Sequence, residues 1–544
     1  ITLHVGVCLA VGTCSVPFPL EFSVRFILLP SSMAFSIMNV LHAFSALILG
    51  GLVWVIGTWM ATSWKLRKFS GPVSLPLLGN LYDLNAIQVM KYLGSNAAKY
   101  GKTFLFWPGN KAMLVCMDQD IVRQVLTDTK TFVKGDDYTM KFSVVFGEGL
   151  VTANGERHKH DRSCLGKYFL RSSIEKQLEM ICTQTKKAMD EVLEAKGVGT
   201  GKEIDVQDYF HLITLRIFGA LSVSHDYGAP ENQKFAKWMN HAVSWGSHVI
   251  GEHIILGLPM WNIIPNVRKL RFDIMAKLNV HFDELIDSRI AARKAGEETP
   301  DDALEAMLND QQERNHMRYQ LCTMLAAGHD TTAFFGCYMS FLIAKDQRVQ
   351  DKIKEEVSRV LGSRDQITNE DIDNLKYCRM VMQETLRLYT IIPFVNRTTT
   401  KDAQIRDSKM VIPKDTVVLV PLTLMNRDKE TWENPNEFRP ERFSPEEKNI
   451  GGHTSAKNGY LPFGYGSRTC IGNHLALIEG TCMIALLMQK YRFFPVEGFK
   501  PALIPGISLV SKNGVKVKVE RDVIGGPDFV PKAAPAAPVE AASS

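Results

Sequence analysis

The sequence predicts a mainly α-helical protein with small β-sheets and one N-terminal transmembrane helix. Three observations predict it: an apolar run at residues 40–63, a helical pattern from about residue 81 to about 522, and three short strand-like runs inside that pattern. No internal repeat or low-complexity break divides 81–522, so this stretch reads as one large domain.

Residues 1–32 carry only Glu21 and Arg25 as charges and are expected to be a leader, a gene-model extension ahead of a start at Met33. A second short hydrophobic segment is the alternative. Residues 33–68 read as the membrane anchor. Within them VLHAFSALILGGLVWVIGTWMATS has no charge except a neutral His42 and is long enough to cross a hydrocarbon core of about 30 Å. Trp59 and Trp64 fall at interfacial depth, and Lys65, Arg67 and Lys68 follow, which leaves the remaining chain on the cytosolic side. A cleaved signal peptide is the competing reading, but its apolar core is about 7 to 15 residues, shorter than this run.

Residues 69–80, with SGPVSLPLLGN, read as a Pro/Gly hinge between anchor and body. Within the body, residues 103–116, 411–421 and 514–520 have strand character, the last alternating valine and lysine. Residues 523–544 end in PKAAPAAPVEAASS, which cannot bury enough apolar surface to fold and is expected to be a disordered tail.

A net charge of +5 on 544 residues is too small to suggest a nucleic-acid partner. The ten cysteines are scattered without a Cys-x-x-Cys pair, which resembles neither a zinc module nor a disulfide scaffold and suits a reducing compartment. One cysteine stands apart. Phe463-Gly-Tyr-Gly466-Ser-Arg468-Thr-Cys470-Ile-Gly472 satisfies FxxGxRxCxG at every fixed position. Its glycines allow turns closed to residues with a Cβ, so the loop can aim NH groups at a sulfur. The helical pattern that follows puts a helix N-terminus near that sulfur and favours its negative charge. A structural buried cysteine is the plainer alternative. Two further motifs precede it. Glu384-Thr-Leu-Arg387 puts carboxylate and guanidinium on one helix face, and Pro440-Glu-Arg442-Phe443 follows it. Upstream, Ala327-Gly328-His329-Asp330-Thr331-Thr332 sits inside a long apolar helix.

In these motifs and their order the chain resembles the cytochrome P-450 superfamily, of the eukaryotic microsomal, class II type. The resemblance implies a fold that holds heme b (iron protoporphyrin IX) between the long distal helix and the cysteine loop. Cys470 would ligate the iron as a thiolate, which favours O–O cleavage. Phe463, Gly464 and Gly472 would complete the haem-binding loop. Arg468, Arg397 and Arg162 would hold propionates, with His158 standing where relatives usually have tryptophan. His158 and His160 as a metal pair is weaker, because i,i+2 residues do not share a helix face. Asp330 would relay protons and Thr331 would offer its hydroxyl on the oxygen side, with Gly328 leaving room there. Singly, each has a plainer reading: a threonine bonded back to a carbonyl, an aspartate in a core ion pair. Glu384, Arg387 and Arg442 would form a structural triad, and Tyr138, Met140, Ala327, Ile392, Phe394 and Ile507 would line the substrate pocket.

The implied activity is a monooxygenase reaction that inserts one atom of O2 into a lipophilic substrate, a sterol or long-chain fatty acid first. Histidine, usual immediately before the distal threonine in sterol 14α-demethylases, is replaced here by Asp330, which counts against that assignment. No GxGxxG opens a βαβ unit, so electrons are expected from NADPH through a separate cytochrome P-450 reductase, with cytochrome b5 as an additional candidate. The basic run Arg157, Lys159, Arg162, Lys167, Arg171 and Lys176 is a candidate reductase face, with a solvated helix surface as the alternative. The apolar stretch GEHIILGLPMWNIIP is a candidate membrane-dipping loop. The expected location is the endoplasmic reticulum membrane, anchored once, with the catalytic domain cytosolic. A haem-thiolate isomerase or lyase acting on a lipid peroxide, and a non-catalytic haem-binding membrane protein, are the competing functions.

Overall fold

Alternation between apolar helix faces and short β-branched runs becomes a helical mass flanked by small sheets. The structure, a computed structural model, describes residues 2–4, 23–25, 31–83, 89–229, 232, 234–243, 246, 265–406, 408–445 and 459–525. The expected membrane-dipping loop, apart from Pro265, most of the leader and the tail beyond Gly525 lie outside the described residues. Two compact units emerge, Ile1–Trp64 and Lys65–Ser544. In the first, Thr2–His4 pairs antiparallel with Ser23–Arg25, and Ser31–Lys65 forms one helix. Its segment His42–Lys65 is long and apolar enough to cross a membrane, and none of it is buried against protein.

In the second unit the end of the Pro/Gly segment is tied to the body. Asn80 is fully buried, its side chain bonding Val73 O and accepting from Trp107 N, both at 2.8 Å. Gly79 has φ +56°, and a Cβ there would lie 2.2 Å from the Trp107 carbonyl oxygen. Glycine is therefore required for the segment to lie against the Trp107 turn.

A five-stranded sheet runs in the order Thr103–Phe106, Met113–Cys116, Val417–Val420, Val395–Thr399, Phe132–Val133. All pairings are antiparallel except Val417–Val420 with Met113–Cys116. Tyr491–Pro495, Lys516–Arg521 and Ile204–Asp205 form a three-stranded sheet, with the predicted valines Val517 and Val519 on its buried side. The predicted strand at 411–421 divides into Val411–Ile412 and Val417–Val420, because Asp415 takes a positive φ between them.

The core is organised around the helix Arg314–Lys345, which packs along Gln207–Val223. A Cβ on Gly328 would stand 2.1 Å from the Phe218 ring, and one on Gly336 2.3 Å from Phe210. The two glycines thus let the phenylalanines of one helix seat against the backbone of the other. Phe218 fills the place a side chain on residue 328 would take, and Gly328 itself lines the central cavity.

Candidate functional site

The cysteine loop is folded by its own backbone. Gly464 and Gly466 both have φ +74°, which only glycine adopts without strain, and a Cβ on Gly466 would strike Leu126 O at 2.8 Å. These turns bring Cys470 N to Phe463 O at 2.8 Å and Thr469 N to Gly466 O at 3.0 Å. Gly472 is different: its φ is −88° and a Cβ would meet only Cys470 Sγ, at 3.9 Å. It caps the helix Asn473–Lys490, so Cys470 stands just ahead of a helix N-terminus. Burial pushes the Cys470 thiol up, while the Gly472 NH and the Arg162 guanidinium pull toward the thiolate. The sulfur is nonetheless open, because the loop faces an internal cavity of about 560 Å³.

That cavity gathers most of the predicted site. Phe463, Gly464, Arg468, Cys470 and Gly472 line it from the loop, and Ala327, Asp330 and Thr331 from the long helix. His158, Arg162 and Arg397 line it too, as do Tyr138, Ile392, Phe394 and Ile507. Met140 lies on the helix Asp136–Phe146, and its side chain is outside the described residues.

Four cations converge on one part of the wall: Arg162, Arg397, Arg468 and Lys134, the last not anticipated from sequence. Among the described residues none of them is paired with a carboxylate. Arg468 instead donates to Ala153 O at 2.7 Å and Asn154 Oδ1 at 3.1 Å, Arg397 to Asn396 O at 2.7 Å, and Lys134 to Val151 O. Burial lowers Lys134 well below its ordinary value, and Arg397 and Arg468 lower it further. Arg468 falls to about 10 through burial and Arg397, and His158 to about 3 through burial, Arg468, Lys134 and Arg162. Buried like charges without counter-ions are costly unless a ligand supplies anions. A flat macrocycle carrying two carboxylates, with a metal for Cys470, answers this donor set, so the residues present fit haem.

On the long helix, Thr331 Oγ1 donates to Ala327 O at 2.7 Å, so its lone pairs are what it offers the cavity. Asp330 is buried; its Oδ2 accepts from Ser508 at 2.6 Å, and its Oδ1 lies 3.6 Å from His211 Nε2. His211, His329 and Asp330 bring donor atoms within 4.8 Å of one another. His329 is not available to the cavity: it bonds Leu325 O at 3.1 Å and Asn240 at 2.8 Å, and burial and His211 lower it to about 4.

Glu384, Arg387 and Arg442 lie apart from the cavity wall as a fully buried cluster. Arg387 clasps the carboxylate through Nε and Nη2 at 2.7 and 2.8 Å, and its Nη1 reaches Asn426 O and Pro435 O. The basic run does not form an open stripe of charge. Arg157, Lys159, Lys167 and Arg171 are paired with Glu148, Glu156, Asp301 and Glu175. Arg162 points into the cavity, which corrects its place in a docking face.

The cytochrome P450 family model matches residues 69–519. Among curated proteins, the Caenorhabditis elegans cytochrome P450 CYP13A3 is 27% identical over 85% of this chain and 95% of its own length. Cytochrome P450 3A18 of Rattus norvegicus is 25% identical over 82% of this chain and 90% of its own. Cytochrome P450 734A1 of Arabidopsis thaliana is 24% identical over 78% and 81%.

Proposed function

We propose, on the premise that the chain belongs to the cytochrome P450 family of haem-thiolate monooxygenases, that it oxidises a lipophilic substrate, a sterol or long-chain fatty acid, using NADPH through a separate reductase. The observation that carries this reading is the single cavity lined both by Cys470 and by the Asp330–Thr331 pair. Haem, when bound, supplies oxygen activation and two carboxylates. Arg468, Arg397, Arg162 and Lys134 would take those carboxylates, Cys470 the iron, and the Gly472 NH would hold the sulfur as thiolate.

The chain's own residues then divide the work. Phe142, Phe146, Phe218, Phe335 and Ile391 make the rest of the wall apolar, which favours a lipid-like molecule and excludes water. Thr331 presents its hydroxyl beside Asp330, which holds or releases a proton at the cavity edge. The apolar helix His42–Lys65, with Lys65, Arg67 and Lys68 after it, supports an endoplasmic reticulum anchor with the catalytic unit on the cytosolic side. An anchored enzyme with such a wall draws its substrate from the bilayer.

The test has two stages. The reduced, carbon-monoxide-treated protein should show the Soret band of a thiolate-ligated haem, and Cys470→His should move it. Reductase, NADPH and a panel of sterols and fatty acids should then give substrate-dependent NADPH consumption. Conversion of a lipid peroxide without reductase, in place of that consumption, would favour an isomerase.

A further inference from the structure

Asp330 has an unusual neighbourhood for a proton-handling carboxylate: among the described residues no lysine or arginine reaches it. Among the described residues its one ionisable partner within ion-pair distance is His211, on the separate helix Gln207–Val223. The imidazole is held with a defined orientation. Its Nδ1 lies 2.9 Å from Gln207 O, one helical turn back, so Nδ1 carries a proton and donates it there. Nε2 is then the nitrogen turned to Asp330 Oδ1 at 3.6 Å, within ion-pair range. Phe334 meets the ring edge-on, centroids 5.1 Å apart, and restricts its rotation.

The His211 side chain keeps 15% of its surface, Asp330 keeps 7%, and His211 is absent from the cavity wall that Asp330 lines. The second oxygen of Asp330 is fixed by Ser508, fully buried in the turn between Leu503–Pro505 and Leu509–Ser511. Its neighbours Pro505, Gly506 and Ile507 line the cavity.

We propose that His211 is a positioning residue for oxygen activation, which receives protons on the side away from the cavity and hands them to Asp330. This deepens, and rests on, the monooxygenase reading. The step moves a proton and no electrons. The Nε2 proton passes to Asp330 Oδ1, Asp330 gives its proton to the cavity, and neutral His211 takes a replacement from water. Ser508 keeps Asp330 aimed throughout.

The surrounding charges permit it. Burial disfavours the imidazolium, but the Asp330 bond and charge, the Gln207 carbonyl and Asp208 outweigh it, and His211 lies above the ordinary histidine value. Asp330 is raised by burial and lowered more by the bond and charge of His211 and the bond from Ser508. His329 faces the pair from the long helix but is neutral, and Cys337 and Tyr338, on the same helix, are held in their neutral forms by burial. The Nε2 nitrogen of His211 thus stands one proton transfer from Asp330.

The experiment uses the haem-loaded full chain with reductase and its best lipid substrate, comparing wild type, His211→Gln and His211→Ala. Retention of the thiolate carbon-monoxide band shows that each variant folds and binds haem. His211→Gln should lower product formed per NADPH roughly tenfold and flatten its pH profile. The solvent deuterium effect should rise in both variants. Independently of turnover, the His211 resonance in histidine-labelled protein should titrate above about 6.5 and fall in Asp330→Asn. Unchanged coupling and pH profile in His211→Gln, or a His211 titration indifferent to Asp330→Asn, overturns the proposal. A thiolate-ligated wild type that consumes no NADPH with any lipid overturns instead the function on which it rests.

Discussion

Glu384 Oε1 accepts a hydrogen bond from Arg442 Nε at 2.9 Å while the same carboxylate is gripped by Arg387, and all three side chains are fully buried. Two guanidiniums thus share one carboxylate, and their remaining NH groups are spent on carbonyls, including Glu433 O for Arg442 and Asn426 O for Arg387. The Arg387 guanidinium also lies over the Trp432 ring at 5.1 Å. Removing one partner strands the others in a dry interior. Glu384→Ala should cost about 3–5 kcal/mol, read as lower thermal stability and little haem-loaded protein at 37 °C.

Lys134 should behave in opposite ways with and without haem. In the unliganded protein it is repelled by Arg397 and Arg468, so Lys134→Met should raise the melting temperature of the haem-free form. In the loaded protein the same change removes a partner for a carboxylate, and haem should pass more quickly to an excess of an apoprotein acceptor. Equal effects of one sign on both forms would refute this assignment of Lys134.

The glycines separate packing from chemistry. Gly328→Ala drives a methyl into Phe218, at 2.1 Å, and should cost about 1–3 kcal/mol. Phe218→Leu in the same chain should recover part of that loss. Gly472→Ala meets nothing nearer than Cys470 Sγ, at 3.9 Å, so thermal melts should barely change while the Soret band of the haem-loaded protein shifts.

Glu441 should mark the acid limb of stability. Burial raises its carboxyl, but bonds from Lys352 at 2.7 Å, Arg348 at 2.6 Å and Tyr377 at 2.9 Å outweigh it and hold it at about 2. A depressed carboxylate stabilises the fold above its unfolded value of about 4.3, and the contribution is lost as pH falls through the folded value. Wild type should therefore exceed Glu441→Gln in stability at neutral pH, with the gap closing between about pH 4 and pH 2. A constant gap across that range in chemical denaturation would contradict the assignment.

What was legible in the sequence was what short spacing encodes. The turns around Cys470 follow from glycines four and six residues ahead of it, and Glu384 and Arg387 meet because a helix puts i and i+3 together. What was not legible depends on elements distant in the chain. Lys134 carries no motif, and it joins Arg397 because Phe132–Val133 adds to the edge of the sheet beside Val395–Thr399. His211 meets Asp330 only because two helices pack, and Ser508 reaches it across 178 residues.

The five-stranded sheet acts as a gauge for the cation cluster. Arg397 lies opposite Val418, and Thr398 opposite Val133, the residue before Lys134. Side chains alternate faces along a strand, so a slip of one residue would turn Arg397 away from the cavity and displace Lys134 with it. Haem uptake should then report strand register: a chain with this sheet misaligned loses the Arg397 and Lys134 contacts and should capture haem less readily.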